Sequence, residues 1–194
     1  MDKNRRVPEV SRKKMRQPIG EAGLWEYAVG ALARRMRTER ELRRLMITRA
    51  VPGEEGLRAM DAVVIRLKEL GYLSDARFAA DYTRLRKDNE KLGRRRVQQN
   101  LAVKGVSPEL ISDAVGAAYE DVDEVALARQ YIARKRMKQP QGENKQKEAA
   151  RAMGRLLRAG FSAGTVFKVL REWGVEADES ELASSDPLEH ADGE

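Results

Sequence analysis

The chain has 194 residues, 38 Lys and Arg against 31 Asp and Glu, a formal net charge of +7, 41% apolar residues and 5% aromatics. That size suits one domain or a short array of small units, and the apolar share is too low for a wide sheet covered on both faces. Cysteine is absent, which excludes a disulfide framework, a thiolate metal site and a cysteine nucleophile.

The first residues are basic: Lys3, Arg5, Arg6, Arg12, Lys13, Lys14 and Arg16 face only Asp2 and Glu9. No apolar stretch follows to make a signal peptide. No apolar run approaches the ~20 residues that span a bilayer, so a cytoplasmic protein with no membrane partner is expected. Helical periodicity then begins. Leu24, Ala28, Ala31, Leu32 and Met36 share one face, and Thr38-x-x-Glu41 before Leu42, Leu45 and Met46 has the form of a capping box. After Val51-Pro52-Gly53, the residues Leu57, Met60, Val63, Val64, Leu67 and Leu70 predict a third helix, ended at Gly71 with Tyr72 behind it. Ser74 opens a fourth, with Phe78, Tyr82 and Leu85 on one face. Gly93 interrupts; Val97 and Leu101 mark the fifth helix, which Lys104-Gly105 ends. Ser107-Pro108-Glu109 starts the sixth, with a capping hydroxyl, a proline at the first position and an acid in the first turn. Three more follow: around Val125 and Tyr131, around Met153 and Leu156 after a Pro140–Gly142 loop, and from Val166 to Trp173. From residue 172 on the chain carries Asp and Glu but no Lys or Arg.

The nine segments fall into three groups. With Ala50, Gly105 and Gly160 in register, a spacing of 55 residues both times, Met46, Leu101 and Leu156 align four residues earlier, and Leu42, Val97 and Ala152 align eight earlier. Pro52, Ser107 and Ser162 follow, each predicted to open a helix. The expected fold is all-α: an elongated, curved array of three tandem three-helix repeats over 21–71, 72–119 and 120–174, between a basic disordered arm, 1–20, and an acidic disordered tail, 175–194.

Leu70-Gly71-Tyr72-Leu73-Ser74-Asp75-Ala76-Arg77-Phe78-Ala79 resembles a signature of the RecX family, Leu-Gly-Tyr-hydrophobic-Asp/Asn-Asp-x-x-Phe/Tyr-Ala. Gly93 through Val97 with Leu101 to Val106 is similar to a second family block, and Thr38-x-x-Glu41-Leu42 to the family's first-repeat start. Ser74 and Ala50 depart from the pattern, standing where the family usually has Asp or Asn and glycine respectively. The resemblance implies a regulator without an active site. Such a protein binds RecA nucleoprotein filaments in the helical groove and inhibits filament extension, ATP hydrolysis, strand exchange and co-protease activity, so that it acts negatively on homologous recombination and the SOS response.

Candidate contact residues form basic clusters. Arg94, Arg95 and Arg96 open the fifth helix and are joined by Arg84, Arg86, Lys87, Lys91 and Lys104. Cations at a helix N-terminus oppose the macrodipole, so a compensating partner is expected; a filament surface or DNA phosphates would serve. The bland alternative is a solvated helix face. A second cluster includes Arg134, Lys135, Arg136 and Lys138 with Arg129, Lys145, Lys147 and Arg151, and a third runs from Arg34 to Arg44. The aromatics fall at core spacing. His190 is the only histidine and stands in the acidic tail, so no catalytic group, metal site or cofactor is expected, and a monomer is. The runner-up function is an autonomous helix-turn-helix-like DNA-binding protein; the first reading leaves room for weak, non-specific contact with single- or double-stranded DNA.

Overall fold

The computed structural model describes residues 17–175. The basic run of the arm and the acidic tail after Val175, His190 included, lie outside them. Among the described residues the structure is all-helical: α1 (Glu21–Arg34), α2 (Glu39–Met46), α3 (Glu54–Glu69), α4 (Asp75–Glu90), α5 (Arg94–Val103), α6 (Pro108–Tyr119), α7 (Glu124–Arg134), α8 (Lys145–Arg158) and α9 (Ala163–Glu172), with a 3-10 turn at Gly142–Asn144. No helix is long and apolar enough to cross a membrane. The described residues form two compact units, one holding 17–35 with Leu42–Leu73, the other Met36–Glu41 with 74–175.

In the first unit Leu24, Ala28 and Ala31 of α1 pack with Leu42 and Met46 of α2 and with Met60, Val63, Val64 and Leu67 of α3. Residues 17–20, assigned above to the arm, are placed: Ile19 N–H donates to the Arg49 carbonyl at 2.8 Å. Several apolar residues expected inside are outside. Met36 lies past the end of α1, and Leu57, Leu70 and Tyr72 are half or more exposed. A helix buries only a stripe, and Leu57 and Leu70 sit at its edges. The residue that seals the turn at Gly71 is Leu73, 2% exposed, whose N–H reaches the Leu67 carbonyl.

The second unit has one continuous core drawn from α4 to α9. Its two halves repeat in detail. Gly105 and Gly160 take φ of +84° and +92°, where a side chain would be strained. Val106 and Phe161 donate back to Leu101 and Leu156, closing each helix in the same way. Ser107 and Ser162 then cap α6 and α9 with nearly the same backbone angles, φ −67° with ψ 151° and 152°. The first unit departs from this rule. Pro52 does not open a helix; α3 begins at Glu54, after Gly53 at φ +91°. Ala50 cannot cheaply take the left-handed turn, so Arg49 and Ala50 both donate to the Met46 carbonyl and the next helix starts later.

Candidate nucleoprotein interface

The first turn of α5 is held from several directions. The chain leaves α4 through Lys91 in a left-handed conformation. Tyr119, at the end of α6, donates its hydroxyl to the Leu92 carbonyl at 2.7 Å. Gly93 N–H donates to Ala159 O at 2.9 Å and Arg95 N–H to Gly160 O at 3.2 Å. No side chain caps α5; the Ala159 and Gly160 carbonyls, just past the end of α8, accept from the Gly93 and Arg95 N–H groups instead. The approach is backbone against backbone. A Cβ on Gly93 would stand 2.3 Å from the Gly160 carbonyl carbon, and one on Gly160 would stand 2.2 Å from Arg96 N.

Arg94, Arg95 and Arg96 are all exposed. The compensating partner expected for them is internal, at least in part. The negative end of the α8 dipole faces the positive end of α5, so the arginines stand where the two fields offset each other. Arg95 also acts electrostatically on Glu124. Glu124, in the first turn of α7, accepts from Ser162 N at 2.9 Å, Ser162 Oγ at 2.5 Å and Thr165 Oγ1 at 2.5 Å. Burial alone would raise its carboxyl; these hydrogen bonds and the Arg95 charge outweigh burial and hold it below the usual carboxylate range. Because the folded value is the lower one, Glu124 stabilises the fold above the ordinary carboxyl value of 4.5, and the contribution is lost as pH falls through the folded value. Glu124→Gln is therefore expected to cost about 1 kcal/mol near neutral pH, allowing for partial exposure. The difference from the unmodified protein should disappear in acid. Urea melts across the acid limb measure this, and a difference that persists at the lowest pH would count against it.

The other predicted contacts divide. Lys104 does not join the basic face. Its ammonium pairs with Glu41 at 2.7 Å and lies 5.6 Å from the ring centroids of both Phe78 and Tyr82. Its carbonyl accepts from the buried Thr38 hydroxyl at 2.7 Å, so Lys104 ties α5 to the start of α2. Thr38 also caps α2, accepting from Glu41 N. Arg84 is exposed and pairs with Asp81 at 3.1 Å. Lys91 is half-buried, Arg86 pairs with Glu90, and Lys87 donates to the Ala118 carbonyl. In the second cluster Arg134, Lys135, Arg136 and Lys138 are exposed. Arg129 instead forms a two-pronged pair with Glu172, and Lys145 caps α9 at Gly174 O. The sequence reading passed over Arg155 and Arg158, which continue a row from Lys147 and Arg151 along α8; basic residues at steps of four, four and three were the available signal. Of the aromatics, Phe78, Phe161 and Phe167 are buried and Trp25, Tyr27, Tyr82 and Trp173 half-buried, whereas Tyr72 is exposed. Among the described residues no group of three or more His, Cys, Asp or Glu could hold a metal ion.

Known proteins share this pattern. Residues 74–115, which form α4, α5 and most of α6, match a family model described as RecX, second three-helix domain. The regulatory protein RecX of Streptomyces coelicolor is 32% identical over 136 residues, 70% of this chain and 69% of that protein. The chain belongs to the RecX family. The regulatory protein RecX of Thermobifida fusca is 32% identical over 151 residues, covering 76% of this chain and 78% of its own length. The crystal structure of RecX from Lactobacillus salivarius shares the fold at a TM-score of 0.58 and 20% identity, over 79% of this chain and 96% of that one. Both departures from the RecX pattern have a visible outcome. Ser74 caps α4, accepting from Arg77 N at 3.2 Å, so the exchange for Asp or Asn preserves the cap. Ala50 does not preserve the glycine turn, and the start of α3 shifts.

Proposed function

We propose that this RecX protein is a negative regulator of homologous recombination and the SOS response. It binds RecA nucleoprotein filaments and inhibits filament extension, ATP hydrolysis, strand exchange and co-protease activity. It acts in the cytoplasm as a monomer and without a cofactor, and it is not an enzyme. The three repeats, 21–71, 72–119 and 120–174, are its functional divisions. The observation that supports the reading best is the exposed Arg94–Arg96 run, fixed on a rigid helix start in the region that matches the family. The helix-turn-helix alternative is weaker on charge. The third helix of the second repeat would have to enter a DNA groove, yet α6 has no Lys or Arg and exposes Glu109 and Asp113. The Glu109 backbone N–H and the Ser107 hydroxyl hold the Glu109 carboxyl below its ordinary value, so it stays charged.

The test is DNA-dependent ATP hydrolysis by the cognate recombinase, titrated with this protein at several salt concentrations. Changing Arg94, Arg95 and Arg96 together to Ala keeps good helix formers. The variant should need about tenfold more protein for the same inhibition and should respond less to salt. Deleting residues 1–20 should matter less. Unchanged inhibition by the folded triple variant would remove this face from the contact, and no inhibition by the unmodified protein would end the reading.

A further inference from the structure

We infer that the exposed face of α8 is a track for the sugar–phosphate backbone of a DNA strand, bound without base readout. Lys147, Arg151, Arg155 and Arg158 are all exposed. At 100° per residue they fall within a sector of about 80°, spread over roughly 16 Å of helix. The opposite face is buried through Ala149, Ala152 and Leu156. Some other exposed arginines are paired, as Arg58 with Glu54 and Arg129 with Glu172. None of the four on α8 has an ion pair among the described residues. Like charges at three- and four-residue steps destabilise a helix; Arg155 and Arg158, in the last turn, offset part of this at the negative end of the helix dipole, but Lys147 and Arg151 do not.

The face suits phosphate better than protein. Protein interfaces draw most of their energy from aromatic and arginine anchors seated in desolvated, apolar pockets, and no large exposed apolar side chain on α8 accompanies its arginines. Beside the row lie Ala150 and Gly154. The Arg158 guanidinium folds back over Gly154, with Nη1 3.2 Å from where a Cβ there would be, so its fork joins the row. Phosphate contacts need cations and little else. The row is about as long as four or five phosphates of one B-form strand. Its C-terminal end meets the first turn of α5 at Gly93 and Gly160, which brings Arg94–Arg96 to the end of the track. Glu148 stands at its edge, accepting from Gln141 N at 3.4 Å. With no exposed aromatic beside the row, bases are not stacked, and single strand and duplex are held alike.

This rests on the weak, non-specific DNA contact that the recombinase reading leaves room for, and it is tested with no recombinase present. The full chain is titrated against a labelled mixed-sequence oligonucleotide, as single strand and as duplex, across a salt series. K147Q/R151Q/R155Q/R158Q is compared with R134Q/K135Q/R136Q/K138Q, which removes as many charges elsewhere. The α8 variant is expected to bind either form at least tenfold more weakly, with a salt slope shallower by about 3 on single strand, close to 0.7 per lost contact. The other variant should lose less than threefold. Where circular dichroism shows the quadruple variant unfolded, R151Q and R155Q are read singly for a slope change near 0.7 each. Equal losses in both quadruple variants, no loss in the α8 variant, or α8-dependent binding of polyglutamate in preference to DNA overturns the inference. Any of these leaves recombinase inhibition untouched, and loss of that inhibition alone leaves the track standing.

Discussion

Gly93→Ala is expected to destabilise the protein by roughly 3 kcal/mol or more, the upper range for forcing atoms into a packed site. Conformation is not the reason. Gly93 has φ −72° and ψ 160°, which any residue adopts. The reason is space: the new methyl would stand 2.3 Å from both the carbon and the oxygen of the Gly160 carbonyl and 2.6 Å from Phe161 N. These are backbone atoms and cannot rotate aside, so α5 and α8 must separate, taking the Gly93–Ala159 and Arg95–Gly160 hydrogen bonds with them. Gly116→Ala is the contrast. Gly116 is in mid-helix in α6 with nothing within 4 Å of an added Cβ, so that change should stabilise by about 0.5–1 kcal/mol through helix propensity. Chemical denaturation of the two variants decides the matter. A Gly93→Ala protein as stable as the unmodified chain would mean that the helices are not in contact.

Leu101→Ala should cost about 2–5 kcal/mol, the range for a large-to-small change in a core. Leu101 has no solvent exposure and packs in the core of α4 to α9. Its carbonyl also accepts the closing hydrogen bond from Val106, but alanine keeps that bond, so the loss measures side-chain packing alone. Val103, two residues on and 78% exposed, gives the control: Val103→Ala should stay within about 0.5 kcal/mol. A Leu101→Ala loss as small as that would show that the anchor of the second repeat is misplaced.

These residues also mark what sequence reasoning could reach. Period and punctuation located Leu101, Leu156, the turns at Gly105 and Gly160, and the caps at Ser107 and Ser162, because each is a local rule: an apolar stripe, a left-handed residue, a hydroxyl before a first turn. The first repeat was read by analogy with the other two, and the analogy failed where Ala50 replaces a glycine. Leu57, Leu70 and Tyr72 match the helical period yet lie at its margins, where the spacing of one helix cannot say how wide its neighbours are. At the candidate interface, charge was legible and pairing was not. Lys104 and Arg94 look alike in a string of letters. Glu41 takes Lys104 out of the basic face from 63 positions away. Gly93 looked like a simple interruption because the backbone it touches belongs to residues 159–161.

The same contact bears on how the protein is made. The amides that begin α5 find their partners on a helix that has not yet been synthesised when α5 leaves the ribosome. Gly160 follows Arg95 by 65 residues, which at 5–20 residues per second is a delay of roughly 3–13 s. During that interval the Gly93 and Arg95 N–H groups lack the Ala159 and Gly160 carbonyls that accept from them in the finished fold, so the start of α5 is completed only once the end of α8 has been made.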